Sequence, residues 1–359
     1  MASRETVLVV ARALLIASVA AVAVACGEQI GTTPTAPAPS LAPATATATA
    51  APASGPSEAV ATPTDASTSG PATPGPAGTG TVVAWGDDSS GQTEVPAGLT
   101  GVVAVAAGDD YSMALKSNGT IVAWGGSDDQ AETKIPAAAA GIRAIAAGSN
   151  FGIALKSDGT VIGWGDNSAG QSTPPPSLKG VVGIAAAGSH AIALKSDGTV
   201  VAWGDDSNGA VDVPAGLKQV AQVAAGYDFS LALLTDGTVI AWGDKYPTDV
   251  ASNVAKVPAG LGGVKEVSAG FIHNLVLKSD GTILSWGGNS DGETKVPAGL
   301  KAVAVAAGGN FSLALKPDGT VVGWGGNESG QATPPSGLAN VVAVDAGGSH
   351  ALAIVAQGS

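Results

Sequence analysis

The chain has 359 residues, 13% of them charged, with 52 Gly, 22 Pro and a formal net charge of −13. That acidity argues against nucleic acid as a partner, since phosphates demand a basic surface. A single cysteine leaves no intramolecular disulfide and no cysteine-built zinc site.

Residues 1–26 read as an export signal. Arg4 and Arg12 supply the positive end, and Ala13 to Ala25 is a largely apolar run too short for a membrane span of roughly 20 residues. Ala23-Val24-Ala25 then precede Cys26, which resembles a bacterial lipoprotein cleavage box in which the cysteine is lipidated. Ala23 stands where that box usually has leucine. Stable anchoring takes two or more acyl chains, and the resemblance implies that number. The expected location is therefore extracytoplasmic, tethered to the envelope through Cys26.

Residues 27–79 contain no Lys or Arg and are dominated by Ala, Pro, Thr, Ser and Gly. Such a segment cannot bury enough apolar area to offset its ordering entropy. A disordered spacer is expected, reaching about 40 Å as a flexible coil.

From residue 80 to 359 the sequence repeats. Each of the seven tryptophans opens a Trp-Gly pair: Trp85, Trp124, Trp164, Trp203, Trp242, Trp286 and Trp324, spaced by 39, 40, 39, 39, 44 and 38 residues. One unit reads Val102–Gly108, Tyr111–Lys116, the turn Ser117-Asn118-Gly119, Thr120–Gly125, and a short Thr133–Pro136. The Asn-Gly or Asp-Gly pair recurs in six units and is a strong hairpin signal. Three clear strands and a weak fourth per unit, with no helical period, describe a propeller blade. The repeat region begins midway through a unit, at Gly80–Gly86, and finishes with the missing first half, Val341–Ile354. An all-β, seven-bladed β-propeller is expected, closed by N- and C-terminal strands that share one blade and remove exposed sheet edges.

The element Trp164-Gly165-Asp166-Asn167-Ser168-Ala169-Gly170-Gln171, with turns of the Ala187-Gly188-Ser189-His190 type and Leu-Lys-Ser-Asp-Gly-Thr hairpins, resembles the regulator-of-chromosome-condensation repeat family over residues 80–359. The family's eukaryotic founder is a guanine-nucleotide exchange factor for a nuclear GTPase, but its repeats are longer and it carries a wedge not found here. The short units with Gly91-Gln92-Thr93-Glu94-Val95-Pro96 and Gly292-Glu293-Thr294-Lys295-Val296-Pro297 are more similar to those of secreted bacterial members, the second type of β-lactamase inhibitory protein among them. This resemblance implies binding of another folded protein, such as a secreted or envelope enzyme, by a monomeric module.

In antiparallel blades, the turns after strands one and three share one face. That face collects Asp87, Asp88, Asp109, Asp110, Asp128, Asp129, Asp166, Asp205, Asp206, Asp228, Asp244, Asp291 and Glu328. Opposite lie Lys116, Lys156, Lys195, Lys278 and Lys316, with Lys179, Lys218 and Lys301 in the links. One-signed charge steers an opposite partner. The plain alternative is turn chemistry, because Asp, Asn, Ser and Gly are turn formers. Calcium would need acidic residues at alternate loop positions and a closing Glu, a pattern no loop shows.

Strand two begins with a ring in every unit: Tyr111, Phe151, His190, Phe229, His273, Phe311 and His350. The histidines occupy one repeat position, so no metal triad is expected, and interior packing is the plain reading of these rings. The preceding turn tips vary, which makes Asp110, Asn150, Ser189, Asp228, Ile272, Asn310 and Ser349 binding candidates, with Tyr227 and Phe271 as apolar anchors. Tyr111, Phe151, Phe229 and Phe311 join them at the strand starts, and Tyr246 lies in the insertion behind the 44-residue spacing. No nucleophile elbow or phosphate loop appears. The expectation is a binding module without catalysis, cofactor or metal, using the face of these turns. Carbohydrate or cell-wall binding is the alternative, followed by exchange-factor-like or glycan-active function.

Overall fold

The computed structural model describes residues 79–126, 131–244 and 253–356. The signal, Cys26, the spacer, Asp128, Asp129 and Tyr246 lie outside the described residues.

The described chain is all β, a propeller arrangement of three-stranded antiparallel units. After β1 (Gly80–Gly86) come β2 (Val102–Ala107), β3 (Tyr111–Lys116) and β4 (Ile121–Gly125), then β5 (Ile142–Ala147), β6 (Phe151–Lys156) and β7 (Val161–Gly165). The third unit is β8 (Val181–Ala187), β9 (His190–Lys195) and β10 (Val200–Gly204). The fourth is β11 (Val220–Ala225), β12 (Phe229–Leu234) and β13 (Val239–Gly243). The fifth is β14 (Val264–Ala269), β15 (His273–Lys278) and β16 (Ile283–Gly287), and the sixth β17 (Ala304–Ala307), β18 (Phe311–Leu315) and β19 (Val321–Gly325). The chain finishes with β20 (Val341–Ala346) and β21 (His350–Ala356).

Hydrogen bonding groups these strands into five three-stranded sheets and one six-stranded sheet ordered β20-β21-β1-β2-β3-β4. Within the latter, β1 pairs with β21 from Gly80–Ala356 to Gly86–His350, while β1 and β2 meet only at Gly80–Val102. Gly80 is required by close approach: a Cβ there would stand 2.4 Å from the Val355 carbonyl oxygen. Successive first strands lie against one another, β2 on β5 and so on to β17 on β20, and β20 also touches β2.

The cores lie between units. Phe151, Ile153 and Leu155 of one sheet pack on Val181, Ile184, Ala191 and Trp203 of the next. The last such cluster joins Phe311 and Leu313 to Val344, Ala351 and Trp85. A middle strand covered on both faces cannot alternate, so β3 and its counterparts are buried from the first residue to the fifth.

Among the described residues the expected fourth strand does not form. After each Trp-Gly loop the chain curls, Val95 N–H donating to Thr93 O (2.9 Å) and Leu99 N–H to Pro96 O (3.2 Å). Proline lacks the donor a ladder needs. The apolar residue before it instead plugs a core, as Val95 and Ile135 do.

The Asn-Gly and Asp-Gly hairpins are type I turns followed by a left-handed Gly. Gly119 N–H donates to Lys116 O and Lys116 N–H to Thr120 O, both at 2.8 Å, and Gly119 has φ +79°. The side-chain oxygen of Asn118, Asp158, Asp197, Asp236, Asp280 or Asp318 accepts from the following Thr N–H. That bond and the Thr hydroxyl hold exposed Asp158, Asp197, Asp236 and Asp280 below the ordinary carboxylate range, helped at Asp197 and Asp280 by a lysine, while at Asp318 the Lys316 bond leads and the Thr320 bonds add to it.

Two carboxyls sit in seams between first strands. Glu266 Oε1 accepts from Val305 N–H (3.0 Å) and Asp345 Oδ2 from Ala107 N–H (2.9 Å). Burial pushes Glu266 up to about 8 and Asp345 up to about 7. Burial pushes His190, His273 and His350 down to about 4, 3 and 4. A carboxyl raised in the fold costs stability as pH rises from its unfolded value to its folded one; a histidine lowered in the fold costs stability as pH falls. Thermal melts should therefore show stability declining as pH rises from about 6.5 to 8.5, and separately as it falls from about 6.5 through 4. In Glu266→Gln/Asp345→Asn the alkaline decline should vanish and the acid one remain.

Candidate functional site

Each unit turns from its first to its second strand through a glycine and one or two variable residues. The turns are joined head to tail: Ser149 N–H donates to Gly188 O (3.0 Å), Gly309 N–H to Gly347 O (3.0 Å) and Gly348 N–H to Gly108 O (3.1 Å). The loop after each third strand leans on the same tips, as Asp166 N–H on Asn150 O (2.8 Å) and Asp244 N–H on Asp228 O (3.0 Å). Both loop sets therefore share one face.

At its centre lies a cavity of about 30 Å³, lined by alanines and glycines of six units together with Asp109 and Phe271. That volume holds about two waters. A second hollow of about 80 Å³ lies between Ser189, Asp205, Asn208, Tyr227 and Asp228. Small-molecule sites are several-fold larger than either hollow.

The apolar part of that surface is compact. Tyr227 and Phe271, from neighbouring units, stack with centroids 5.0 Å apart at 54°. Tyr227 and the adjoining Ile272 are each 43% exposed, and Phe271 is half-buried. Acids surround them. Burial, partly offset by a Ser149 hydrogen bond and reinforced by Asp110, pushes Asp109 up to about 6. Asp110, Asp228 and Asp244 are also raised, by burial and then by the charges of Asp87, Asp205 and Asp228 respectively. The Tyr227 hydroxyl is raised by burial and by Asp109 and Asp228.

Turn chemistry is real at several of these acids: Asp87 and Asp166 accept from Gln92 and Gln171 Nε2 (2.9 and 2.7 Å), and Asp205 from Ser207. Of the residues expected to bind, the structure brings Asp110, Asn150, Tyr227, Asp228, Phe271 and Asn310 to the surface. It removes four. Tyr111, Phe151, Phe229 and Phe311 are buried to within 1% of completely, because strand two is the middle strand and each ring enters the neighbouring unit. Ile272, the one apolar residue among the variable turn tips, is exposed beside them.

The rings form a pairing rule between units. Tyr111 donates its hydroxyl to Phe151 O, beside Gly152. Phe151 packs with Ala191, and Phe311 with Ala351. His190, His273 and His350 place Nε2 at 3.0, 2.9 and 2.9 Å from Ser230, Ser312 and Ser112 Oγ. These resemble nucleophile–base pairs in distance only. Each serine already donates to a carbonyl, at Ala210, Glu293 or Gln92. The imidazole Nε2 must then be the donor, which leaves it unable to take the serine proton.

Among known proteins, a model of the regulator of chromosome condensation (RCC1) repeat matches residues 102–130, 142–171, 181–210, 220–245, 264–293 and 302–331. No curated protein matches the sequence. Prp20p from Saccharomyces cerevisiae, whose structure was described with its binding to Gsp1p and histones, superposes with a TM-score of 0.66 at 19% identity, over 80% of this chain and 94% of that one. Human WBSCR16 gives 0.61 at 18% identity over 77% and 98%. The receptor kinase CR4 ectodomain of Physcomitrella patens gives 0.56 at 22% over 68% of each.

If the imidazole–serine pair is packing, Ser112→Ala should cost about 1–3 kcal/mol in urea unfolding by stranding a buried donor. Adding His350→Phe should recover most of that loss, since Phe over Ala already serves two other seams.

Proposed function

We infer the function from one premise: the chain belongs to the regulator of chromosome condensation repeat family. On it we propose a non-catalytic, protein-binding module with seven blades closed in a ring. The seven-residue pairing of β1 with β21, the adjacency of β20 and β2 and the Trp85 bond to Gln331 O (2.9 Å) support closure. A chain ending at Asn340 should lose its single cooperative unfolding transition; an unchanged melt would argue for an open array.

The partner binds across the crown of turns. The observation that carries this reading is Tyr227, Phe271 and Ile272 exposed together inside a rim of acids on an otherwise repeated frame. Aromatic anchors dominate interfaces, and the rim favours a partner that offers lysine or arginine beside an apolar side chain. The relatives' fold supports a binding role, as Prp20p was studied for binding to Gsp1p and histones. The sealed serine–imidazole pairs offer no nucleophile, which supports the non-catalytic reading. An extracytoplasmic, Cys26-anchored location rests on the first 26 residues.

The test is capture from a cell-envelope extract with wild-type protein and with Tyr227→Ser/Phe271→Ser/Ile272→Ser. The captured protein should bind the triple variant at least ~30-fold more weakly, about 2 kcal/mol. Equal binding by both would refute the face assignment, and a positive glycan array with no captured protein would favour the carbohydrate reading.

A further inference from the structure

The other end of the first strands holds a second ring of variable residues. Ladders slip between Val102 and Ala104, Ile142 and Ala144, Val181 and Gly183, Val220 and Gln222, Val264 and Glu266, and Val341 and Ala343. A β-bulge re-aims the side chain it skips, here Val103, Arg143, Val182, Ala221, Lys265 and Val342. Val303 holds the same place before β17, its N–H bonded to Leu315 O at 2.8 Å. Val182, Val303 and Val342 are 41%, 42% and 38% exposed, and Lys265 is exposed between units that carry them.

This end also carries the hairpin turns and the links between units, which are bonded together: Ser117 N–H donates to Gly101 O and Ser196 N–H to Gly180 O, both at 2.8 Å. Ten basic side chains lie here against five turn aspartates, whereas the crown's turns and post-strand loops hold eleven acids, with Lys295 reaching back to the Gly292 loop, among the described residues. Three of the five aspartates are already paired with Lys195, Lys301 and Lys316. Lys179, Lys218 and Lys265 are exposed and hold no ion pair among the described residues.

We propose that this face docks on an anionic lipid bilayer, its lysines on headgroup phosphates and its bulge valines against the interface, with the acidic crown turned away. Amphipathic surfaces bind anionic bilayers through apolar burial combined with basic side chains. A soluble polyanion would use the lysines but gain nothing from valines at the centre of the ring. The face is the one the protein partner does not use, so the docking stands independently of that assignment.

Flotation of the full chain with equimolar phosphatidylglycerol–phosphatidylcholine vesicles and with pure phosphatidylcholine vesicles tests it. The first 78 residues are the same in every sample, so any insertion by them cancels. Lys179→Glu/Lys218→Glu/Lys265→Glu takes the face from net +5 to −1 by formal charge. It should lower partition onto the anionic vesicles at least tenfold and leave the neutral ones unchanged. Val182→Ser/Val303→Ser/Val342→Ser should lower anionic partition severalfold without altering binding of soluble polyphosphate. Thermal melts confirm that each variant folds, and single Lys→Glu chains replace any that does not. Anionic partition unchanged in the lysine variant overturns the proposal. So does a valine variant that binds vesicles like wild type while polyphosphate displaces both.

Discussion

A tryptophan N–H bonded to a carbonyl of the preceding unit is the constraint on which the rest of the structure depends. All seven indoles make this bond, Trp124 to Gln92 O (2.9 Å), Trp164 to Glu132 O (2.7 Å), and so on through Trp324 to Glu293 O (2.8 Å). Trp85 completes the set by reaching Gln331, 246 residues away. The indole buries a large apolar surface while placing one directional donor, so it fixes both the distance and the rotation between neighbouring sheets. Where serine or asparagine follows the strand-two ring, the same carbonyl accepts a second bond, from Ser112, Ser230, Ser312 or Asn274. Each seam is thereby satisfied at a buried polar atom, where failure would cost most.

Because the seams are set by Trp, ring residue and small aliphatics, the ends of the strands are free to vary. The crown tips and the bulge residues are both variable positions on a constant frame, one at each end of the axis. Their chemistry diverges: tips and post-strand loops accumulate aspartate, while bulges and links accumulate valine and lysine. The buried first strands tolerate polar residues only where the next strand offers a backbone partner. Gln222 bonds both Val267 N–H and O, and Ser268 accepts from Ala307 N–H.

The period, the hairpins, the split of one unit between both termini and the acidic face were legible in the sequence. Each has a local cause: Trp-Gly, Asx-Gly, a half repeat, and turn-forming aspartates. The misread elements depended on neighbours in space. Thr133–Pro136 has strand-like residues, yet its proline and the turns around it leave no ladder partner. The rings at Tyr111, Phe151, Phe229 and Phe311 looked like site residues because they adjoin the variable tips, but their strand is covered by sheets on both sides. The bulges were invisible because Val-Val-Ala-Val-Ala-Ala is apolar throughout, and no periodicity marks which residue is skipped. One long-range rule was readable in hindsight at six of the seven seams: Tyr with Gly, Phe with Ala, His with Ser, each one unit apart, with Phe229 and Asn274 the exception.

The split unit also decides how the two ends of the domain are held together. β1 and β21 join them through a seven-pair antiparallel ladder, and the seam beyond is reinforced by His350 with Ser112 and Asp345 with Ala107. Those contacts join residues about 240 apart, so they carry nearly the full loop-closure entropy of the domain. Buried polar bonds at that seam, like those of His273 with Ser312 and Glu266 with Val305 at another, reward only one register of the strands they join.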